Sequence, residues 1–406
     1  MISLRAAFAI SSTGDWIYKF AVPTLILRLT GSPIATAFAY VLEFIPYVVV
    51  GPFGGVLADR LPRRPTMVGC DAISAVLALG IAGLAQLGHA PVAALYLCAL
   101  ALACVRPVYF PALQGFLVEA VAEEHRPRFN SWTQVTEGML NIAGPVIGTS
   151  IVALAGVPTA TVLDAASFAA AALLVAAISY RRPPRPASRA ARTTSVLRDF
   201  AAGFRALTLS RAILIGTILI TGANLAGNII EGNLVYLVLA VEHHPKVALG
   251  AVFSAQGVGA IAGAFAAPRL LGRQRTGRLL GAGLGMSFVA MAIPAVFPSW
   301  PAILAGQGIE GAATALIVVC WFTALQKVIP AEVIGRFVAV GRAIAYATIP
   351  IGALLGGWLL TVSASTRLLF SCAAALEVVI FAVSLRSALM RIDDEAAAQP
   401  EAATAH

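Results

Sequence analysis

The sequence predicts an all-α integral membrane protein with twelve transmembrane helices, arranged as two six-helix bundles related by pseudo-twofold symmetry. Hydrophobic residues make up 59% of the 406 residues and charged residues only 12%, about half the charged share of a soluble domain. Apolar runs of about 20 residues, the length that crosses the hydrocarbon core of a bilayer, recur along nearly the whole chain. A basic, proline-rich segment near the middle separates six of these runs from the other six.

Each apolar run is interpreted as one spanning helix because a bilayer leaves no other way to satisfy the backbone hydrogen bonds of a single segment. An even number of spans places both termini on the same side of the membrane. The predicted spans 1 to 12 are 6–28, 34–57, 66–88, 92–116, 130–154, 159–180, 211–238, 247–271, 279–297, 302–326, 333–360 and 366–387.

The positive charge follows the predicted topology. A net charge of +9 can indicate a nucleic-acid partner. With the N-terminus inside, however, 22 of the 28 lysines and arginines lie in cytoplasmic segments, and only Arg28, Lys246 and Arg367 lie outside. This is the positive-inside bias of membrane proteins. We therefore expect no nucleic-acid partner and both termini in the cytoplasm. The preference for arginine over lysine and the abundant alanine indicate a GC-rich bacterial genome, and we expect the chain to lie in the bacterial cytoplasmic (inner) membrane.

The hydrophilic interruptions define the predicted domains. An N-terminal bundle spans 1–180, a cytoplasmic linker 181–210 and a C-terminal bundle 211–390, followed by a disordered cytoplasmic tail, 391–406. The start of the linker is basic and proline-rich, which predicts irregular structure. Its second part, 196–205, has apolar residues at helical spacing and could form an interfacial helix on the membrane surface.

A dense polar turn lies between spans 2 and 3. Its one acid and three arginines cannot lie in lipid, so the turn marks where the chain leaves one helix and enters the next. The turn resembles the Gly-x-x-x-Asp-Arg-x-Gly-Arg-Arg/Lys signature of major facilitator superfamily transporters, with Pro62 in place of the usual glycine. The matching residues are Gly55, Asp59, Arg60, Arg63 and Arg64.

This resemblance implies a transporter whose spans 1, 4, 7 and 10 line a central cavity. It also implies that Asp59 and the arginines of the signature hold the cytoplasmic ends of the two halves together in the outward-open state. The second half has a basic turn at the corresponding place, 272–278, which keeps the positive charge but contains no acid.

Span 5 contains glycines and a proline that resemble the motif of antiporters in the same superfamily. Proline kinks a helix, and glycine lets a neighbouring backbone come close, although both residues are common in membrane helices generally. The motif residues are Gly138, Gly144, Pro145 and Gly148. Short runs at 12–16, 129–131 and 164–168 resemble the corresponding segments of the superfamily branch that includes enterobactin exporters and macrolide efflux pumps.

Ionisable residues inside the spans carry most of the functional interest because a charge at the bilayer centre is costly. In the cavity-lining spans these are Asp15, Lys19, Arg106, Glu231 and Glu310. Asp15 and Lys19 are four residues apart on one helical face. They either neutralise each other, or the acid exchanges a proton while the lysine tunes its pKa.

The face formed by Asn224, Asn228 and Glu231 is the first choice for substrate or proton contact, because the three residues follow helical spacing. The alternative is a polar interface between helices. Arg106 and Glu310 occupy corresponding helices of the two halves and could pair across the cavity.

Other charged residues are predicted to lie on interface helices, where they would form gating ion pairs. These are Glu43 in span 2, Glu137 in span 5 and Arg342 in span 11. Glu377 in span 12 is expected to be peripheral and to pack or snorkel.

No catalytic triad, phosphate loop or histidine cluster occurs in the sequence, so we predict neither an enzyme nor a metal or cofactor site. Transport would then draw on a proton gradient. The resemblance implies a monomeric exporter of a small organic substrate, such as a siderophore, macrolide or other secondary metabolite, in contact with membrane lipids. The alternatives are a lysophospholipid flippase or, in a different class, an integral-membrane enzyme or scaffold.

Overall fold

A computed structural model describes residues 2–50, 61–87, 89–178, 207, 210–329 and 331–394. Within these ranges the chain is almost entirely helical and contains no β-strand. Gly55, Asp59 and Arg60 of the predicted signature, and the predicted interfacial helix at 196–205, lie outside the described residues.

Twelve labelled helices account for most of the described chain. Those of the first half are α1 (Ile2–Thr30), α2 (Pro33–Leu42), α3 (Ile45–Val49), α4 (Arg63–Gln86), α5 (Val92–Ala120) and α6 (Arg126–Ala176). Those of the second half are α7 (Arg211–Glu231), α8 (Val247–Leu271), α9 (Thr276–Val296), α10 (Trp300–Val328), α11 (Ala331–Val362) and α12 (Thr366–Arg386). Between α7 and α8 the chain continues through a helical turn, Leu234–Tyr236, and a π-helical turn, Leu237–Val241.

The fold class predicted from the sequence is confirmed. In the described part of the chain, nine helical segments are long and apolar enough to cross a membrane, and the chain is a multi-pass membrane protein. The count of twelve spans stays a prediction. α1 is long enough but has charged residues along its length, and Pro33–Tyr47 is a shorter apolar stretch.

The long helix α6 contains both predicted spans 5 and 6. It is interrupted at Gly156, whose φ of 77° and ψ of 165° are not helical. Glycine adopts positive φ without the penalty that a side chain would bring. The interruption lies where the sequence places the connection between the two spans, 155–158.

The described residues form two compact units, each with its own packing. The first contains the described part of Met1–Arg192 together with Leu234–Gly250. In it, α1 and α4 pack along α6, and a buried cluster around Met67, Phe116 and Phe129 forms the core. The segment Leu234–Gly250, which the sequence places in the C-terminal bundle, thus groups with the N-terminal unit.

The second unit contains the described part of Thr193–Asn233 and of Ala251–His406. In it, α9 packs against α10 and α12, while α7 packs against α11 and α12. A second apolar cluster, which includes Ile213, Leu284 and Cys320, fills the space between these helices.

Glycines bring the backbones of α8 and α10 into direct contact. A Cβ atom at Gly259 would overlap the carbonyl oxygen of Gly308, and one at Gly311 would overlap that of Gln256. At Gly263 a Cβ atom would lie 2.9 Å from the Cα of Ala312. Such close approach is typical of small residues at membrane helix interfaces.

The beginning of the predicted disordered tail is ordered. A 3-10 turn, Ala388–Arg391, follows α12 and leads into residues 392–394, which are helical. The carboxylate of Asp393 accepts hydrogen bonds from the Gly277 N–H and from Lys327 Nζ, each at 3.2 Å. Asp394 pairs with Arg275. These bonds fix residues 391–394, and the rest of the predicted tail lies outside the described residues.

Candidate substrate and proton sites

Helix α7 presents a polar face in an otherwise apolar helix. The hydroxyl of Ser210 caps its N-terminus by accepting the N–H of Ile213 at 3.1 Å. Asn224 and Asn228 lie on consecutive turns, and the Asn228 side-chain amide donates to the Asn224 carbonyl at 2.7 Å. That bond fixes the orientation of the Asn228 side chain, one turn before Glu231.

This face borders a cavity of about 160 Å³ inside the C-terminal unit. Helices α7, α8, α9 and α10 all contribute to it. The residues that line it are Ile220, Ala223, Asn224, Gly227, Asn228, Glu231, Gln256, Ser287, Met291, Gln307, Glu310, Thr314, Ile317 and Val318. The structure thus brings the predicted face of α7 and Glu310 to one cavity. Sequence reasoning missed the polar residues from α8 and α9, because Gln256 and Ser287 are uncharged and isolated.

The carboxylate of Glu310 has polar neighbours on one side. The Thr314 hydroxyl donates to Glu310 Oε1 at 3.2 Å, and Ser287 also bonds to this carboxylate. The other oxygen, Oε2, is buried without a hydrogen-bond partner among the described residues. The carboxylate of Glu231 acts on Glu310 electrostatically. Two acids therefore share the cavity.

Asn233, close to this face in sequence, has a different role. It is fully buried, and its side-chain amide donates to the Ile229 carbonyl at 3.0 Å and to the Ala353 carbonyl at 2.9 Å. The second bond joins the end of α7 to α11. The absence of side chains at Gly352 and Gly356 lets α11 approach this closely. A polar helix interface accounts for Asn233.

The N-terminal unit holds an ion pair between α1 and α5. Arg106 pairs with Asp15, whose side chain is only 15% exposed. Lys19 is exposed, and its ammonium lies 4.4 Å from the centre of the Trp16 ring. Asp15 therefore has a guanidinium partner from another helix, which disfavours the first of the two alternatives for Asp15 and Lys19, their mutual neutralisation. The sequence also allowed Arg106 to pair with Glu310. In the structure, Arg106 pairs with Asp15 of its own unit.

The family follows from comparison with known proteins. The model of the Major Facilitator Superfamily matches residues 6–278, which is more than half of the chain. The chain belongs to the major facilitator superfamily. Its members are transporters of small molecules and are not enzymes, so the predicted family and the absence of an enzymatic function are confirmed.

Individual relatives support the predicted branch. The enterobactin exporter EntS of Citrobacter koseri is 26% identical over 361 residues, which cover 87% of this chain and 85% of that protein. Macrolide efflux protein A of Streptococcus pyogenes is 27% identical over 145 residues, 36% of each chain. Among solved structures, a mutant form of the nucleoside transporter NupG superimposes with a TM-score of 0.75 at 13% identity, over 95% of this chain and 98% of that one.

The described part of the superfamily signature is bonded within the N-terminal unit. Arg63 Nε lies 3.1 Å from Glu119 Oε1 at the end of α5. Arg64 donates to the carbonyl of Val175 at 3.1 Å and to that of Ala176, at the end of α6. These two arginines therefore tie the start of α4 to the ends of α5 and α6.

The glycine motif of α6 contacts α1. A Cβ atom at Gly144 would lie within 2.6 Å of Trp16 Nε1, and one at Gly148 would lie 2.9 Å from the Trp16 carbonyl carbon. A Cβ atom at Gly138 would meet nothing within 4 Å. The Thr149 hydroxyl donates to the carbonyl of Pro145 at 2.7 Å. Two of the three glycines are thus positions of close helix contact.

The predicted gating residues are spread over the molecule. Glu43 is half-buried between α2 and α3 and acts electrostatically on Tyr18 of α1. Glu137 is half-buried on α6 and acts on Arg106. The side chain of Arg342 lies outside the described part of α11. Their gating role stays a prediction.

Two buried acids of the N-terminal unit escaped sequence reasoning. Asp71 on α4 is 2% exposed and Asp164 on α6 is 0% exposed. Asp71 Oδ2 and both Asp164 oxygens lack hydrogen-bond partners among the described residues. Arg106 acts electrostatically on Asp164. Both are lone acids within apolar spans, which is the signal that would have found them.

Glu377 on α12 is not peripheral, contrary to the prediction. It is 0% exposed, and both carboxylate oxygens are buried without a hydrogen-bond partner among the described residues. The prediction failed because span 12 was placed at the edge of the bundle, whereas α12 packs against both α7 and α9 and buries Glu377.

Proposed function

We propose that this chain is a proton-coupled exporter of an amphipathic organic molecule that carries a positive charge. The observation that carries this proposal is the cavity of the C-terminal unit, where Glu231 and Glu310 face a space also lined by side-chain amides and hydroxyls. An acid that can bind either a proton or a substrate cation couples the two by competition.

The charges of the cavity favour a cation over an anion. The described residues that line it include two acids and no lysine, arginine or histidine. An anionic group would meet like charge there and leave both carboxylates without a counter-ion. Apolar side chains such as Met291 and Ile317 complete the lining and suit the hydrocarbon part of an amphipathic molecule.

The size of the cavity limits what it holds. Pockets for drug-sized ligands measure roughly 300–1,000 Å³, whereas this cavity measures about 160 Å³. It therefore suits one charged or hydrogen-bonding group of a larger substrate. Among the substrates predicted from the sequence, a molecule with a basic amine, as in a macrolide, fits this charge pattern better than an acidic siderophore.

The direction of transport is inferred from the relatives. The two relatives described above are named for export of enterobactin and for efflux of macrolides.

The N-terminal unit supplies a second ionisable site, the Asp15–Arg106 pair. We place the protein in the bacterial cytoplasmic membrane as a monomer, with both termini in the cytoplasm and a proton gradient as its energy source.

Two ions of similar size and opposite charge test the charge preference. 4-Phenylbutyl(trimethyl)ammonium and 4-phenylbutanesulfonate share the same apolar group and end in a small group of similar size and opposite charge, so a difference in their binding reports that charge. We expect the purified protein to bind the cation at least ten times more tightly in calorimetry. Glu310→Gln should remove most of this preference, whereas Glu124→Gln, which changes an exposed acid outside the cavity, should keep it. Equal binding of both ions would refute the cationic site.

Everted membrane vesicles test export and coupling. Wild-type vesicles should accumulate 4-phenylbutyl(trimethyl)ammonium when the vesicle interior is made more acidic than the outside, and a protonophore should abolish the accumulation. Vesicles that bind the cation but show no gradient-driven uptake would refute proton coupling. Movement of lysophospholipid in place of the cation would favour the flippase.

A further inference from the structure

Gln307 is a buried amide that lines the cavity of the C-terminal unit. It lies on α10, one turn before Glu310, and is only 3% exposed. Its side chain has one acceptor oxygen and two donor N–H groups, and none of them forms a hydrogen bond with another of the described residues. A buried amide that uses none of its hydrogen-bonding groups is rare in folded proteins, because leaving such groups unsatisfied costs free energy.

Other polar side chains of the cavity have partners within the protein. The Asn228 amide donates to the backbone carbonyl one turn earlier at 2.7 Å, and the Thr314 hydroxyl donates to Glu310 at 3.2 Å. Gln256 is only half-buried, so water can reach its amide. Gln307 combines near-complete burial with the lack of a described partner. The cavity is therefore the place where its amide meets a hydrogen-bonding group.

The positions of Gln307 and Glu310 define a two-part recognition surface. Side chains three residues apart on a helix are neighbours, with Cβ atoms about 5–6 Å apart, and both of these line the cavity. The carboxylate attracts a positive charge, whereas the neutral amide recognises a group that donates or accepts a hydrogen bond. A charged nitrogen and a hydroxyl separated by two carbons match neighbours at this spacing.

The amide also discriminates against molecules that cannot hydrogen-bond to it. A group that fills the cavity displaces the water that would otherwise bond to Gln307. If that group is purely hydrocarbon, the amide is left buried and unpaired, and binding weakens. A hydroxyl replaces the lost bonds because it is both a donor and an acceptor, as the amide is.

We propose that Gln307 is a specificity-determining residue. It selects cations that carry a hydroxyl two carbons from the charged nitrogen, over cations whose substituents are all hydrocarbon. The substrate class is then an amphipathic amino alcohol. The inference rests on the proposed function, because it places the positive charge of the substrate at Glu310. Glu310 recognises the charge, and Gln307 recognises the hydroxyl beside it.

Two cations that differ in one group test this selection. 4-Phenylbutyl(2-hydroxyethyl)dimethylammonium and 4-phenylbutyl(propyl)dimethylammonium have the same charge and nearly the same size, and the hydroxyl of the first is a methyl group in the second. Hydrophobic burial alone favours the propyl cation. We expect the purified wild type to bind the hydroxyethyl cation at least about threefold more tightly in calorimetry. Gln307→Met keeps the length of the side chain but removes the amide, so this variant should bind the propyl cation more tightly.

A matched control and the wild-type affinities separate the outcomes. Gln86→Met, which replaces an exposed glutamine of α4 in the other unit, should keep the wild-type preference. If the wild type does not prefer the hydroxyethyl cation, or if Gln307→Met keeps that preference, the role of Gln307 is wrong while the cationic site stands. If the wild type binds neither cation, the proposed function itself is wrong. If Gln307→Met does not fold, Gln307→Leu provides the same comparison.

Discussion

Acidic residues inside the membrane differ in how the protein compensates their charge. Asp15 is paired with Arg106, Glu310 is hydrogen-bonded on one side, and Asp164 and Glu377 have no hydrogen-bond partner among the described residues. Because an unpaired ion is costly in a bilayer, these differences rank the acids by how readily each exchanges its proton. A paired acid stabilises helix packing, whereas an acid without a partner exchanges its proton with less disturbance to the rest of the fold.

The Asp15–Arg106 pair predicts a measurable coupling between α1 and α5. Asp15→Asn leaves the Arg106 guanidinium without its carboxylate, so the midpoint of thermal unfolding in detergent should fall by several degrees. In the double variant Asp15→Asn, Arg106→Gln, part of that loss should be recovered. We expect a coupling energy of about 0.5–3 kcal/mol, in the lower half of this range because the Arg106 side chain is half-exposed.

Arg28 provides the matched control for this cycle. It lies on the same helix α1 and is exposed. Combined with Asp15→Asn, the change Arg28→Gln should be additive. A coupling as large as that of Arg106 would mean that the effect is not specific to the pair.

Helices α1 and α6 pack closely because two glycines of α6 leave room for Trp16. Sequence reasoning predicted that these glycines let a neighbouring backbone come close, but it assigned them to the interface between the two halves, whereas this contact lies within the N-terminal unit. It also could not tell which glycines face a neighbour. That distinction depends on the rotation of α6 about its axis, which small residues on several sides of a helix do not define. The same limit explains Glu377, whose burial depends on which face of α12 turns inward.

Two glycines of α6 give a matched test of this packing. Gly148→Ala inserts a Cβ atom against the Trp16 backbone, and overpacking of this kind costs about 1–3 kcal/mol. We expect a lower unfolding midpoint and less protein in the membrane. Gly138→Ala meets open space and gains helix propensity of roughly 0.5–1 kcal/mol, so its midpoint should stay the same or rise. If both variants behave alike, the glycines do not set the contact.

The ordered segment after α12 supplies the acids that the second basic turn lacks. Burial acts to raise the pKa of Asp393, but hydrogen bonds from Thr276, Gly277 and Lys327, with the charge of Lys327, outweigh this and lower its pKa below the ordinary value. The sequence showed the basic turn without its partner, because Asp393 is more than 100 residues away along the chain.

Removing this acid should release the segment from α9 and α10. In Asp393→Asn, the backbone amides of residues 388–394 should exchange hydrogen faster by roughly tenfold. Asp394→Asn should have little effect, because both partners of its ion pair are about half-exposed and such pairs contribute about 0–1 kcal/mol. Equal exchange rates in the two variants would contradict the assignment.

The pH dependence of this contact has a defined sign. Because the pKa of Asp393 is lowered in the folded protein, its stabilising contribution is fully present above the ordinary aspartate pKa, about 3.9. It is lost only as the pH falls through the lower, folded value. Exchange protection of residues 388–394, corrected for the intrinsic exchange rate, should therefore stay constant from pH 8 to pH 5.

For the whole molecule, the sequence was sufficient to predict the all-helical membrane class and the superfamily, because composition and apolar run length are properties of the chain alone. The assignment of Leu234–Gly250 to the N-terminal unit could not be predicted. It depends on packing after α7 and not on hydropathy. The polar face of α7 and Glu310 were predicted as candidate site residues, because acids and closely spaced asparagines stand out in an apolar helix. Gln256 and Gln307, which also line the cavity, were not predicted, because a single uncharged amide does not stand out.

The number of spans predicts the location of the C-terminus. With the N-terminus inside, twelve spans place the C-terminus in the cytoplasm, whereas an odd number such as nine places it outside. Green fluorescent protein fused after His406 should therefore fluoresce. Alkaline phosphatase inserted between α9 and α10 should be active, because that connection is predicted to face outward. If the fluorescent protein fused after His406 is dark and alkaline phosphatase fused at His406 is active, the count of twelve spans is wrong.

The direct contact between α8 and α10 also limits how molecules reach the cavity from the lipid. Where Gly259 meets Gly308 and Gly311 meets Gln256, the two helices leave no gap as wide as an acyl chain. Gln256 and Glu310, on these same helices, face the cavity. The contact between α8 and α10 therefore closes the cavity on the side next to these polar groups. A lipid whose tail stayed in the bilayer while its head entered the cavity could not pass between these two helices.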